Sequence, residues 1–308
     1  MKKTMKKNSI LSIIGALAVG FGATSCDDYL DVNHNVDGPA YVDAYLYLPQ
    51  VFNTFYNVYG DGFYTQGLTK MTTHGGNFAS HYYSKASDTG GGMWRMTYWS
   101  HGMNLENIIN QSIEEKNYHL AGAGLILKAI SWDYSCKYNA EMPLKDAFVP
   151  GSLKHNYDYQ EYIFMQIREW CKQGIAYLEM EDNSSLRPQF ANYDQMYGGD
   201  AEKWKKFGYA VIVRNLVSLT KKTDFKEKYY PELMDAASKS FTSVADDATI
   251  KVDGGGADSP DAAYNNYYGV YRGNMTASTA HNYAVDIMTG MVRAVNEETE
   301  EFIEITDT

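Results

Sequence analysis

The stretch from His119 to Tyr138 constrains this chain more than any other, because it reads as a helix with apolar side chains nearly all round: Leu120, Ala123, Leu127, Ile130 and Tyr134. A helix without a polar face has to be enclosed by other elements. The rest of the sequence supplies helices to enclose it. Ile163, Phe164, Ile167, Trp170, Cys171, Ile175 and Leu178 recur at spacings of one, three and four and define one apolar helix face. Leu105, Ile108, Ile109 and Ile113 do the same within a helix expected over Met93 to Ile113.

Gly198-Gly199-Asp200 introduces another helix, Ala201 to Thr220, with the Asp200 carboxylate placed to accept from its orphan amides. Inside it, Trp204, Phe207-Gly208 and Val211 reproduce the opening of a tetratricopeptide repeat, in which the glycine lets the paired helix approach closely. Tyr41 to Tyr59, Tyr230 to Ala237 and Thr276 to Met291 are read as further helices, and no strand pattern of useful length competes. The expectation is an all-α fold of tetratricopeptide-like helix pairs with long irregular loops forming a ligand face.

Two loop-rich stretches carry the candidate chemistry. Gly60 to Gly92 contains His74, His81, Tyr82 and Tyr83, and Trp94, Arg95, Tyr98 and Trp99 follow directly after it. The second, from Ala245 to Arg272, turns around Gly254-Gly255-Gly256 and ends in Tyr264, Asn265, Asn266, Tyr267, Tyr268, Tyr271 and Arg272. Long loops in a compact domain tend to be functional. The chain has 27 tyrosines against 12 phenylalanines, and a ring with a polar tip suits ligands that are apolar on one face and polar at the edges, sugars above all. Tyr82, Tyr83, Trp94, Arg95, Tyr98, Trp99, Asn265, Tyr267, Tyr268 and Arg272 are therefore the expected ligand residues. Trp94 or Trp99 taken singly would serve equally well as helix core.

Catalytic and metal signatures are weak. No nucleophile elbow, phosphate loop or His-Glu-x-x-His pattern occurs. His74 and His81 lack a third ligand nearby. The run from Asn33 to Gly38 alternates oxygen side chains as calcium loops do, but Ala44 stands where a bidentate glutamate is required. Glu114-Glu115, Asp246-Asp247 and Glu297-Glu298 are read as solvated carboxylates rather than an acid and base pair. A non-enzyme without metal or cofactor is expected. The formal charge of −11 argues against nucleic acid and other polyanionic partners. Cys136 and Cys171, set in apolar helical patterns, are read as buried free thiols.

The N-terminus carries an address. Lys2, Lys3, Lys6 and Lys7 precede an apolar run from Ile10 to Phe21 that is too short to span a bilayer, and then the small residues Gly22 to Ser25. Residues 1–25 are read as a lipoprotein signal peptide, with Cys26 as the lipidated residue and 26–40 as the lipid-anchored segment that ties the chain to a membrane.

Four stretches together resemble the SusD-like/RagB family. They are Cys26-Asp27-Asp28-Tyr29-Leu30-Asp31-Val32-Asn33; Lys137 to Phe148; Tyr197-Gly198-Gly199-Asp200 with Lys203 to Phe207 and Arg214; and Phe241-Thr242-Ser243 with Ala245 to Ala248. The resemblance implies a surface-exposed, outer-membrane lipoprotein that captures an oligosaccharide, or in some members a peptide. It also implies a partner, a TonB-dependent transporter over which such proteins close as a lid, and no catalysis and no nucleic acid. Residues 41–290 would be the SusD-like helical domain, incomplete at its C-terminus, and 291–308 an acidic tail unlike the family. No family motif assigns the ligand residues, which rest on their chemistry. A helical-repeat scaffold that binds only the transporter is the alternative.

Overall fold

The computed structural model describes residues 42–74, 90–149, 151–250, 278–290, 293–295, 299 and 302–304. The chain divides into Met1–Val42 and Asp43–Thr308, and the elements below belong to the second unit. The leader, Cys26, and the ligand candidates Tyr82, Tyr83, Asn265, Tyr267, Tyr268 and Arg272 lie outside the described residues.

After a short 3-10 turn at Ala44–Tyr47 come α1 (Leu48–Thr54), α2 (Tyr56–Leu68), β1 (Thr72–His74) and α3 (Gly92–Arg95). A π-helical segment, Met96–Gly102, leads directly into α4 (Met103–Glu114). The series continues with α5 (Tyr118–Asn139), α6 (Gln160–Leu178), α7 (Arg187–Tyr193), α8 (Ala201–Val217), α9 (Phe225–Lys228) and α10 (Tyr230–Lys239). Last are β2 (Ser278–Ala280), α11 (Asn282–Met288), β3 (Arg293–Val295) and β4 (Phe302–Glu304).

As its composition requires, α5 is central. Leu120, Ala121, Ala123, Ile126, Leu127 and Ala129 lose all contact with water, enclosed by α4 on one side and α6 and α8 on the other. The approach to α6 is at backbone distance. A Cβ on Gly122 would lie 2.6 Å from the Gly174 carbonyl oxygen, and one on Gly174 would lie 2.8 Å from that of Gly122. Gly208, the repeat-like glycine of α8, faces the side chains of Ile126 and Ile175, where a Cβ would sit at 3.0 Å from each. Cys136 and Cys171 are both buried and free, and burial pushes the Cys136 thiol up to about 12.

A charged network stands inside this core. Asp133 is fully buried on α5 and accepts from Arg214 Nε at 2.9 Å and Asn215 Nδ2 at 3.0 Å, with Lys137 Nζ at 2.8 Å. Asn215 Oδ1 in turn accepts from Arg168 Nη1 at 2.8 Å. The network joins α5, α6 and α8, and a buried carboxylate is tolerable only when its lone pairs are matched in this way.

The start of α8 is built as its sequence suggested. Gly198 and Gly199 take left-handed backbone at φ +62° and +78°, and Asp200 Oδ1 accepts from the amides of Glu202 and Lys203 at 3.0 and 3.2 Å. Asp194 reinforces the turn. Its carboxylate accepts from the amides of Met196, Tyr197 and Gly199 and from the indole Nε1 of the buried Trp204 at 2.7 Å.

Several expectations need correction. Gly60 to Leu68, read as loop, is helical in α2. Each interior glycine costs about 1 kcal/mol of helix propensity, but Asp61 repays the helix by accepting from the amides of Gly92 and Met93 at 3.1 and 2.6 Å. Thr276 to Met291 is not one helix. Ser278–Ala280 pairs antiparallel with Thr72–His74, and α11 begins only at Asn282. A second ladder joins β3 to β4 within the acidic tail. Asp246 is not a solvated carboxylate either. It is buried, pairs with Lys206 Nζ at 2.8 Å and accepts from the amides of Thr242 and Ser243, and these contacts hold its carboxyl well below the usual range. With these additions the described residues form a helical protein.

Candidate functional site

Helix α3, the π-helical segment and α4 form one rod, interrupted at Gly102 by non-helical backbone (φ −23°, ψ −98°), whose middle has the wider i→i+5 pattern, a feature often found at functional sites. Its inner side holds a polar knot. Thr97 Oγ1 meets the hydroxyls of Ser131 and Ser135, and Ser135 Oγ donates to the Met93 carbonyl at 2.8 Å. His101 Nε2 lies 3.0 Å from the Val51 carbonyl, which can only accept, and Nδ1 lies 2.8 Å from Ser131 Oγ; in the neutral ring Nε2 therefore donates and Nδ1 accepts. Burial lowers this imidazole to about 4 against a smaller opposing effect of the Val51 bond.

Of the aromatic residues expected to bind, this rod carries Trp94, Tyr98 and Trp99. Trp94 is half-buried, with its ring centroid 4.7 Å from Tyr98 and 6.4 Å from Tyr157. Tyr98 is engaged on every side: it stands edge-on to Trp132 at 5.4 Å, lies 6.3 Å from Phe148 and donates its hydroxyl to the Pro143 carbonyl at 2.7 Å. Its ring packs the rod against α5 and offers little to a ligand. Trp99, one residue on, is 82% exposed, and Arg95 also faces solvent. Of these neighbouring rings, Tyr98 is thus a packing residue and Trp99 a displayed one.

Tyr157 joins this face from the connection between α5 and α6. Asp158 organises that connection. Its backbone amide donates to the Met142 carbonyl at 3.0 Å, Oδ2 accepts from the amides of Leu144 and Lys145 at 2.9 Å each, and Lys145 Nζ lies 3.0 Å from Oδ1. Burial raises the Asp158 carboxyl, but those two amides and the ammonium outweigh it and the net shift is downward. Because Asp158 points inward, its neighbours Tyr157 and Tyr159 both point outward, at 64% and 78% exposure. An inward aspartate between two tyrosines is the sequence signal that could have found this part of the face.

Chemically, the described part of the face offers indole and phenol rings and the guanidinium of Arg95. Among the described residues no group of three or more His, Cys, Asp or Glu side chains is placed to hold a metal ion. No helix among them is long and apolar enough to cross a membrane.

Comparison with known proteins agrees with this architecture. A SusD-like family model, described as starch-binding and associating with the outer membrane, matches residues 46–292. A SusD/RagB family protein from Bacteroides thetaiotaomicron is 23% identical, with a TM-score of 0.61 over 76% of this chain and 49% of its own. A SusD homologue from Parabacteroides distasonis is 18% identical, with a TM-score of 0.59 over 76% of this chain and 46% of that one. A chitin-binding SusD homologue from Flavobacterium johnsoniae is 17% identical, with a TM-score of 0.52 over 66% and 44%. This chain therefore spans about half the length of the solved structures it resembles. No curated protein sequence is similar enough to count as a relative. The family expected from the four sequence stretches is the one that matches across most of the described fold: the chain belongs to the SusD-like family.

Proposed function

We propose that this protein captures an oligosaccharide without transforming it and passes it to a TonB-dependent transporter of the outer membrane, to which Cys26 tethers it through lipid. The observation that carries the reading is Trp99, an indole 82% exposed on the outer side of a π-helical segment. Leaving such a ring in water forgoes burial free energy. Covering one face, about 100 Å², regains roughly 2–3 kcal/mol. Trp94 and Tyr157 extend the surface and Arg95 provides a donor for hydroxyls; Tyr82, Tyr83, Asn265, Tyr267, Tyr268 and Arg272 are the further residues assigned to it on their chemistry. The family's starch-binding description and the chitin-binding homologue support a sugar as the ligand.

Affinity electrophoresis in gels containing neutral polysaccharides tests the site. Trp99→Ala, and Tyr157→Ala with it, should cut affinity by about tenfold or more, since about 1.4 kcal/mol corresponds to one decade. Circular dichroism should not change, because both rings lie outside the core. Undiminished retention of both variants would remove this face from the reading.

Exposed apolar side chains at Met103, Val149 and Leu153 favour a second reading, in which the domain is a helical scaffold that contacts only a protein partner. Tight association with the transporter together with no retention by any glycan would select it.

A further inference from the structure

Beyond Tyr159 the surface dips into a groove of about 850 Å³ between the first turns of α6 and the segment that follows α8. Its charge runs opposite to that of the whole chain. Among the described residues Glu161 is the one carboxylate lining it, against Lys137, Arg168, Lys221, Lys222 and Lys228. Two of the cations serve the interior: Lys137 pairs with Asp133, and Arg168 donates to Asn215 and to the Phe164 carbonyl. The other three form an exposed rim. Lys222 and Lys228 reach the same Glu161 oxygen at 3.6 and 3.9 Å, and Lys221 has no carboxylate within ion-pair distance among the described residues. Two of the three ammonium groups thus share one carboxylate, and the third has none in reach among the described residues, in a protein whose formal charge is −11.

The floor is of another character. The rings of Tyr159, Tyr162, Phe164 and Tyr229 line it together with Met165 and Leu219. Tyr159 also links it to the Trp94 face, because Tyr157 and Tyr159 stand on the same outward side of Asp158 in an extended segment, about 7 Å apart along the chain. A volume of this size accommodates a small ligand.

We propose that the groove binds an oligosaccharide bearing carboxylates, a uronate chain, with pyranose faces on the rings and carboxylates on Lys221, Lys222 and Lys228. The inference rests on the glycan-capture reading and narrows its substrate class. Other anions fit less well. Inorganic phosphate has no apolar face to lay on the rings of Tyr159, Tyr162, Phe164 and Tyr229, so it would use the rim and leave the rings uncovered. An acidic peptide taken as an added strand needs an open backbone edge, whereas the groove is lined largely by helices that satisfy their own backbone. The net charge of the chain opposes anions in bulk, but at 0.15 M ionic strength that opposition fades over about 8 Å, while the rim acts at contact.

The test is isothermal titration calorimetry of the whole chain with oligogalacturonate, its fully methyl-esterified form and a neutral maltooligosaccharide. The acid form should bind about tenfold or more tightly than the ester, and its affinity should fall as salt is added. Combined Lys221→Ala, Lys222→Ala and Lys228→Ala substitution should cost the acid form about tenfold, from roughly 0.5 kcal/mol per exposed ion pair, and leave the maltooligosaccharide unaffected. Glu161→Gln should strengthen binding of the acid form, a gain that misfolding cannot imitate. Equal affinity for acid and ester, or no change in the triple variant, overturns the inference and leaves glycan capture standing. Binding of polyglutamate but not oligogalacturonate also overturns it, in favour of an acidic peptide. Absence of binding to any glycan overturns both.

Discussion

Replacing Gly122 by alanine probes the backbone-distance approach of α5 to α6. The added Cβ would come within 2.6 Å of the Gly174 carbonyl oxygen and 2.7 Å of Leu178 Cγ. Ordinary contact requires about 3.4 Å or more, so α5 and α6 have to separate by nearly an ångström along a seam on which Ile126, Leu125 and Ile175 also pack. The nearest obstacle is backbone and cannot rotate away. Overpacking of this kind costs about 3 kcal/mol at the upper end of its usual range. Alanine recovers about 1 kcal/mol of helix propensity, which leaves a net loss near 2 kcal/mol, or roughly 4–8 °C in Tm for a domain of this size. Gly62 supplies the control, since it is helical in α2 and nothing lies within 4 Å of its hypothetical Cβ. Gly62→Ala should therefore stabilise by up to about 1 kcal/mol. Thermal unfolding followed by circular dichroism at 222 nm reads both variants. A Gly122→Ala protein as stable as the parent would refute the close approach, whatever Gly62→Ala does.

Two further outcomes follow from buried polar groups. With its folded value lowered to about 4 from an ordinary 6.5, His101 is neutral in the fold while the unfolded chain takes up a proton as pH falls. Its contribution is intact above about pH 6.5, is lost progressively down to about pH 4, and amounts to roughly 3 kcal/mol. Urea titrations at several pH values should show this slope in the parent and not in His101→Gln, and equal slopes would count against a neutral buried ring. Asp194→Ala strips an acceptor from the amides of Met196, Tyr197 and Gly199 and from the Trp204 indole. A loss of about 3 kcal/mol or more is expected, with Asp194→Asn losing less because it retains an acceptor oxygen. Near-ultraviolet circular dichroism and thermal unfolding check both, and a loss under 1 kcal/mol would show that water replaces the carboxylate.

The helices α5, α6 and α8 could be read from the chain because apolar spacing records which side of a helix loses water, and that record is local. The cap at Asp200 was legible for the same reason, as its partners are two and three residues away. The choice between loop and helix over Gly60 to Leu68 was not, since it turns on Asp61 bonding to amides 31 and 32 residues later. Nor could periodicity show the pairing of Thr72–His74 with Ser278–Ala280, or a buried Asp133 inside an apolar helix.

At the site, residue type was enough to single out Trp94, Tyr98 and Trp99. Their division of labour came from the neighbours each one meets in the fold: Tyr98 packs on Trp132 of α5, while Trp99 stays in water. Total charge hid the lysine rim, because Glu161 and Lys221 to Lys228 meet only when α6 packs beside the end of α8. The sequence by itself determined a helical, aromatic-rich chain of the SusD-like family, because those properties are sums over neighbours along the chain. Which rings face solvent and where like charges gather were decided by the tertiary structure, since both depend on contacts between residues tens of positions apart.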